Sequence, residues 1–503
     1  MITRAFILLF ILLIIPISNS YSVEKKPLRI AIHPSKINKN VVGSSTTIID
    51  YNTIRKSSYK TLGDLISKYS GINFDNLYYG TDAKTSIKIR GFGEQASRNI
   101  LILVNGIRLT DMTIGGANLS RLNIDDIYEI EIIKGGSAGV LFGDGAVGGA
   151  INIITKNPIF TSDKLRFKSS VKSFNGKNSS FSLTKRLDNF VVQSFISKED
   201  SKGYRENNKF ENDTFNFDLT YLKDSINRYN FKSVYSEQFT GLPGNISITD
   251  FYTRPRYSRN PEDYGTEKVN SISVGSQNIL NSGAKFSNVL KFEDKDQRTS
   301  SYSWGKYIRA KTNLETSTFS SKLSKKNQFK NLDSNINLGV DFFSSDYRAI
   351  GNNWSQVKYH NIANQKIFEP FGTFQFDHSE YKNIKYEIGF RYHHYELNAD
   401  NYSTKSSLSS IERDNYAWSL GVDYNLESYN NVFAHISRTY RSPRLDEIIS
   451  LVNPNPVEKD IKHQYSNDIE LGYEYDDSQM RYKGSVFRTL IKNQIYLNQT
   501  TLK

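Results

Sequence analysis

Residues able to do covalent or metal chemistry are few and scattered in this chain of 503 residues. There is no Cys, which removes thiol nucleophiles, Cys-ligated zinc, iron–sulfur clusters and disulfides. The 7 His show neither His-x-His nor His-Glu-x-x-His spacing, so no metal site is expected. His393 and His394 are adjacent on a strand pattern and must face opposite sides of a sheet. No nucleophile elbow or Ser/His/Asp constellation stands out, and the chain does not read as an enzyme or as the holder of a cofactor. Gly143-x-Gly145-x-x-Gly148, continued by Gly149, matches the dinucleotide fingerprint as text. That fingerprint must open a helix, whereas here it runs into Ala150–Lys156 (AINIITK), a β-branched strand. The glycines are therefore expected to serve tight turns and close backbone approach.

Two kinds of element would have to position anything functional. From Ser44 to Pro158 strand and helix signals mix, as in a compact α+β domain. Ser45–Asp50 reads as a short strand, Ile54–Tyr69 as a helix carrying Leu62, Leu65 and Ile66, and Thr85–Phe92 as a strand broken at Gly91. Asn99–Leu109 reads as two apolar strands joined by Asn105-Gly106, a strong hairpin signal. Asp125-Asp126 begins a helical turn, and Tyr128–Lys134 is a further strand. From about Asp163 onward the pattern becomes period-2 strands, about fifteen of them, such as Ile384, Tyr386, Ile388, Phe390 and Tyr392. Links between these strands alternate between short (Lys223–Asn227, Glu427–Asn431) and long (Phe239–Thr266, Gln297–Lys311, Asp346–Lys366, Asn398–Asp414, Ser442–His463). Strict alternation puts all turns on one side and all loops on the other, as in an outer-membrane barrel. A soluble sandwich or propeller has no reason to keep that order.

Composition agrees. Only 38% of residues are hydrophobic, yet 32 Tyr and 30 Phe are present. A polar average excludes a bundle of apolar helices of about 20 residues each, and the aromatics argue against disorder. A barrel that alternates apolar-out and polar-in satisfies both observations. The 65 Lys+Arg exceed the 52 Asp+Glu, a net charge of +13. These cations are interleaved along the strands rather than gathered, which argues against nucleic acid and for lipopolysaccharide phosphates or an anionic ligand. Residues 1–20 read as a cleaved signal peptide: Arg4, an apolar run from Ala5 to Ile15, then Ser18-Asn19-Ser20.

These residues resemble the TonB-dependent outer-membrane receptors of the siderophore and cobalamin type. Ile87–Phe92 (IKIRGF), with Arg90 and Gly91, is similar to the family's plug strand ending in Arg-Gly. Ile100–Leu109 (ILILVNGIRL) is similar to its apolar hairpin, with Asn105 in place of the usual Asp. Ile127–Gly136 and Leu141–Lys156 (LFGDGAVGGAINIITK) follow the plug pattern. Tyr440-Arg441-Ser442-Pro443 with Leu445 and Glu447, then Asn453–Pro456 and Glu470–Gly472, resembles the barrel's later segments.

The resemblance implies an all-β transmembrane barrel of 22-stranded type with an α+β plug in its lumen. Its divisions here would be 1–20 signal peptide, 21–43 TonB-box segment and linker, 44–158 plug and 159–503 barrel. The box is expected at Leu28, Arg29, Ile30, Ala31 and Ile32, an edge-strand segment for the partner TonB. Ligand is expected between plug loops Leu77–Lys84, with Tyr78 and Tyr79, and Thr110–Ala117, and barrel loops Asp250–Tyr264 and Ser301–Arg309. In the first barrel loop Tyr252, Arg254, Arg256, Tyr257 and Arg259 suit a flat or anionic ligand. A ferric siderophore is the first choice, with cobalamin or a non-transporting surface-binding barrel as alternatives. Haem is disfavoured, because Arg444–Val452 and the plug contain no His. A closed bacterial barrel needs an even strand count. About fifteen strands, ending at Leu502-Lys503 without a terminal aromatic, predict a chain short of about six or seven strands of a 22-stranded wall, with unpaired first and last edges.

Overall fold

The computed structural model describes residues 41–496 apart from 58, 60, 70, 77–84, 92–95, 111, 114–116, 157–161, 304, 330–331, 353–355, 357, 379–382, 403–405, 428, 449–460 and 478. The segment expected as a signal peptide (1–20), Leu28–Ile32, Tyr78 and Tyr79 lie outside the described residues.

The plug is built on a five-stranded sheet. Its strands are β1 (Thr46–Ile49), β4 (Ile100–Val104), β5 (Ile107–Arg108), β6 (Ile127–Lys134) and β7 (Gly149–Thr155), in the order β1-β6-β7-β4-β5. β2 (Ile72–Asn76) and β3 (Thr85–Ile89) form a separate pair. The Asn105-Gly106 hairpin forms as expected. Both residues take positive φ (53° and 75°), the twist a two-residue turn requires. β3 ends at Arg90 (φ 55°) and Gly91 (φ 76°). The single helix expected over Ile54–Tyr69 is instead two, α1 (Tyr51–Lys56) and α2 (Leu62–Ile66). Each has its own cap: Asp50 accepts from Thr53 N at 2.7 Å, and Thr61 accepts from Asp64 N at 3.1 Å. Two N-caps in one apolar-periodic stretch restart the helix. α3 (Ala96–Asn99) and α4 (Ser137–Phe142) were not legible in the pattern. Ile49, Leu65, Ile66, Ile89, Ile130, Ile132 and Ile151 are buried in the plug core.

The wall is one antiparallel sheet of fifteen strands pairing in chain order. It comprises β8 (Lys164–Lys172), β9 (Gly176–Leu187), β10 (Phe190–Ser201), β11 (Phe210–Leu222), β12 (Asn227–Gly241), β13 (Tyr264–Ile279), β14 (Lys285–Ser303) and β15 (Lys306–Phe329), then β16 (Leu332–Asn352), β17 (Lys358–His378), β18 (Ile384–Asn401), β19 (Ser406–Glu427), β20 (Asn430–Arg441), β21 (Gln464–Asp476) and β22 (Arg481–Lys492). Among the described residues no pairing joins β8 to β22. Alternation is strict where expected. Along β21 every second side chain from Gln464 to Glu474 is buried inward, while Ile469, Leu471 and Tyr473 are exposed outward. The inward face is polar and the outward face apolar, the reverse of a soluble sheet and the arrangement of a wall in lipid. No helix among the described residues is long and apolar enough to cross a membrane.

The short-turn rim carries stacked aromatics. Phe190–Tyr221, Phe376–Tyr386 and Tyr475–Tyr482 each lie 4.9 Å apart between ring centroids. Such rings mark a membrane–water boundary. Three of the long links correct the expectation. Most of Gln297–Lys311, Asp346–Lys366 and Asn398–Asp414 is not loop but continued ladder: β14 to β19 run 18 to 24 residues each. A transmembrane strand needs about 9–11 residues, so these hairpins extend past the apolar band. Beyond it the inward face stays buried (Tyr347, Ala349, Ala363, Leu397) while the outward face turns polar (Asp346, Arg348, Lys366), so the outward apolar period fades while the hydrogen bonds continue. Two short helices sit in the remaining loops, α5 (Ile248–Thr253) and α6 (Leu445–Ile448).

Candidate functional site

The hairpin tip shows why an amide suits position 105. Asn105 Nδ2 donates to Thr155 Oγ1 (2.7 Å) while its Oδ1 accepts from Thr155 N (2.9 Å). A carboxylate could accept but not donate. Gly106 N donates to Asn152 Oδ1 (2.9 Å), and Asn152 Nδ2 donates to the fully buried Glu131 (2.8 Å). The tip is thereby clasped to β7, the strand that leads out of the plug.

The glycine segment meets the wall. Gly143, Gly145 and Gly149 have φ of 80°, 88° and 127°. A Cβ on Gly143 would lie 2.2 Å from Glu369 Oε2, one on Gly149 2.2 Å from the Ile133 carbonyl, and one on Gly145 3.0 Å from Arg444 Nη2. Gly148 N donates to the Asn99 carbonyl at 2.7 Å. The fingerprint text thus encodes close approach, as read from the sequence.

Glu369 is the hub of that contact. It is fully buried on β17, beside Pro370, which has no N–H to give to the ladder. Its carboxylate accepts from Arg391 Nη1 (3.0 Å), Tyr440 OH (2.8 Å) and the plug's Asp144 N (3.2 Å), and it faces His393 Nδ1 at 2.8 Å. Arg391 also reaches Asp341 (2.9 Å) and the plug carbonyls of Val140 and Leu141 at the end of α4 (2.8 and 3.0 Å). A guanidinium at helix-terminal carbonyls answers their partial negative charge. Asp144 in turn accepts from Ser442 N at 2.6 Å. Burial pushes the Asp144 carboxyl up, but the charges of His393, Arg108 and Arg444 and the Ser442 N–H outweigh it and hold it below the ordinary carboxylate range. His393 is buried and His394 half-exposed, on opposite faces as expected.

Two further ties hold the same side. Arg90 pairs with Glu470 on β21 at 2.5 Å and lies 4.2 Å from the Phe487 ring centroid. Glu447 on α6 takes Arg441 (2.7 Å) and the plug's Arg98 (2.9 Å). Backbone approach completes the seam: Gly43 N donates to Asp423 (2.8 Å), and a Cβ on Gly421 would lie 2.1 Å from the Val42 carbonyl. Asp341, Glu369, Arg391, Asp423 and Tyr440 could not be assigned from sequence. The available signal was a polar residue at every inward position of an alternating strand.

The opposite flank is different. Between the β4–β5 hairpin and strands β10–β15 lies a cavity of about 270 Å³, and beside it one of about 310 Å³ reaching β8 and β9. Both are lined by Asn216, Asp218, Lys232, Thr155 and Lys156. Asp126 borders the second, where burial raises its carboxyl and the charge of Lys156 offsets part of that rise.

At the loop end the predicted tyrosines and arginines largely engage one another. Arg254 pairs with Asp250 (2.5 Å) and stacks 3.7 Å from the Tyr257 centroid; Arg256 lies 5.4 Å from that of Tyr204. Arg259 joins the loop through its backbone N–H to the Pro243 carbonyl (3.0 Å). Tyr252 is exposed on α5 beside Phe251. Arg205, which sequence reading missed, clamps this loop to its neighbour through the carbonyls of Gly244 (2.6 Å) and Tyr257 (2.8 Å). Tyr307 OH donates to Glu262 (2.5 Å), tying in the β14–β15 hairpin. In the plug segment Thr110–Ala117, the described side chains Thr110, Met112, Thr113 and Ala117 are buried, and Met112 packs with Leu314, Tyr347 and Leu445.

Known proteins show the same organisation. A family model described as TonB-dependent Receptor Plug Domain matches residues 38–150, and one described as TonB dependent receptor-like, beta-barrel matches 161–502. The vitamin B12 transporter BtuB of Vibrio vulnificus is 24% identical over 445 residues. That match covers 86% of this chain and 64% of the relative, so the chain spans under two thirds of its length. BtuB of Photobacterium profundum is 31% identical over 117 residues, 23% of this chain and 18% of that one. Among solved structures, the unliganded ferric citrate transporter FecA superposes with a TM-score of 0.78 at 17% identity, covering 92% of this chain and 72% of that one. The ferric yersiniabactin uptake receptor FyuA of Yersinia pestis gives 0.74 at 14% identity, covering 90% and 72%.

Proposed function

Since the chain belongs to the TonB-dependent receptor family, we propose that it is an outer-membrane active transporter that binds a scarce metal chelate outside and passes it to the periplasm with energy delivered through TonB. The observation that carries this reading is a folded plug held inside a polar-faced wall by buried ion pairs, with open space along its other flank. A lumen so filled cannot pass a ligand by diffusion, so passage needs work done on the plug. Lipid and lipopolysaccharide surround the wall, and the signal peptide delivers the chain for insertion. Leu28–Ile32 would add as an edge strand to TonB.

For the cargo, a ferric siderophore is the first reading, supported by the basic, aromatic loop around Arg254, Arg256 and Tyr257. Cobalamin is the second, favoured by the relatives that are named vitamin B12 transporters. A knockout strain separates them: accumulation of radio-iron is lost in the first case and of radiolabelled cobalamin in the second. Deleting Leu28–Ile32 should abolish uptake and leave surface binding. Uptake that persists would reject the TonB-driven mechanism and favour a non-transporting surface receptor.

A further inference from the structure

The cavity between the plug hairpin and strands β10–β15 has a charge balance that calls for an anion. Seven Lys and Arg side chains line it against two carboxylates, Asp218 and Glu293. Glu293 is already answered by Lys291 (2.9 Å) and Arg121 (3.7 Å). Arg228, Lys232 and Lys322 make no close ion pair among the described residues; Asp218 attracts the first two from farther off and Asp341 the third. Donors are left over as well: Nε2 of the buried Gln277 and the Nε of Arg108 and Arg121 have no hydrogen-bond partner there among the described residues. Like charges gathered around one cavity repel one another, and buried donors without acceptors cost free energy. An oxyanion relieves both at once, because each oxygen accepts charge-assisted hydrogen bonds.

Position gives this site a role. Gln193 begins β10, Arg228 and Asn230 begin β12, and Gln277 ends β13, so the cavity lies at the short-turn end of the wall, opposite the Arg254 loop. Its plug side is the hairpin tip and Thr155-Lys156, where the chain leaves the plug. At about 270 Å³ it is just below the usual span of small-molecule pockets, roughly 300–1,000 Å³, and suits an arm of a chelate rather than a whole one. We infer that this cavity is an internal oxyanion site, taking the carboxylate or phosphate group of a ligand, and that it holds the cargo after it has left the outer loops. The second half of this statement rests on the transport reading above; the first does not.

The test uses the full chain in detergent micelles, titrated calorimetrically with citrate and, separately, with inorganic phosphate. Wild type should bind at least one of them saturably, and the comparison identifies the preferred oxyanion. Arg228→Gln combined with Lys232→Gln should weaken that binding at least tenfold. Gln277→Glu, which adds a carboxylate without removing a cation, should do the same. Lys198→Gln, exposed near the loop end of β10, should change nothing, and heat-modifiable migration verifies folding of each variant. Absence of saturable binding, or affinity unchanged in both cavity variants, overturns the site. In cells, the cavity variants should keep surface binding of the labelled chelate and lose at least fivefold in uptake rate; unchanged uptake overturns the transit role. Oxyanion binding by a wild-type chain that imports neither chelate would reject the transport reading and leave the site standing.

Discussion

The plug meets the wall in two ways. Against β16–β21 the contact is closed: glycines let backbones touch, and Glu369, Arg391, Asp144, Arg90 and Glu470 are spent on one another. Against β10–β15 it is looser, with a cavity of about 270 Å³ beside the hairpin and a second of about 310 Å³ reaching β8 and β9. On the proposed transport mechanism, a plug pulled from below has to part from the wall somewhere. Buried charge pairs are costly to separate because each partner is left desolvated and alone; among the described residues the cavity-lined seam has fewer of them, with Arg121–Glu293 (3.7 Å) and the amide and hydroxyl contacts of Asn118 and Ser120 to Gln238 among its ties. The difference implies that the β16–β21 side acts as the hinge or anchor and the β10–β15 side as the seam that opens.

That contrast can be broken at its strongest point first. Glu369→Ala should destabilise the plug–wall contact by about 3–5 kcal/mol, the cost of stranding a buried partner charge; urea titration with protease accessibility of Ser137–Phe142 reads it. Gly143→Ala should cost about 1–3 kcal/mol, from the positive φ and the clash with Glu369, seen in the same titration. The third test is pH. The Asp144 carboxyl sits below its unfolded value, so the stability it contributes is fully present above the ordinary carboxylate pKa. It is lost as pH falls through the lower folded value. Asp144→Asn should flatten that acid limb of plug stability, and a limb that persists unchanged would assign it to other carboxylates. The smallest effect belongs to the open flank: Gln277→Ala removes a group with no partner and should change stability by less than about 1 kcal/mol. A loss there as large as at Glu369 would erase the distinction between the flanks.

Much of the fold could be read residue by residue. Asn105-Gly106 announced its hairpin, Arg90-Gly91 the end of β3, and the alternation through Ile388 and Phe390 the lipid face. α4 escaped because SAGVLF is one short turn-and-a-half whose contacts lie on four distant strands rather than at helical spacing of its own. The outer hairpins of β14–β19 escaped because their outward face turns polar (Asp346, Arg348, Lys366) and their inward face mixes Asn361 and Gln365 with Ala363 and Leu397, which blurs the contrast between the two faces. The loop arginines were found as residue types, but their pairing with Asp250, Tyr257 and Tyr204 was not visible, since two of those contacts join neighbours and the third joins a different loop.

What the sequence determined by itself is therefore local and periodic: strand alternation, turn residues with positive φ, caps, and a family pattern in the plug. Those depend on neighbours within a few positions, and the chain carries them in order. Only the tertiary structure decided which polar inward residues became the Glu369 hub and which were left around an open cavity. Asp144 and Ser442 are 298 positions apart, and Gly43 and Asp423 are 380 apart. Charge compensation and packing space belong to the surfaces that folding brings together, and an alternating pattern writes Glu369 and Gln277 alike, as polar residues facing in.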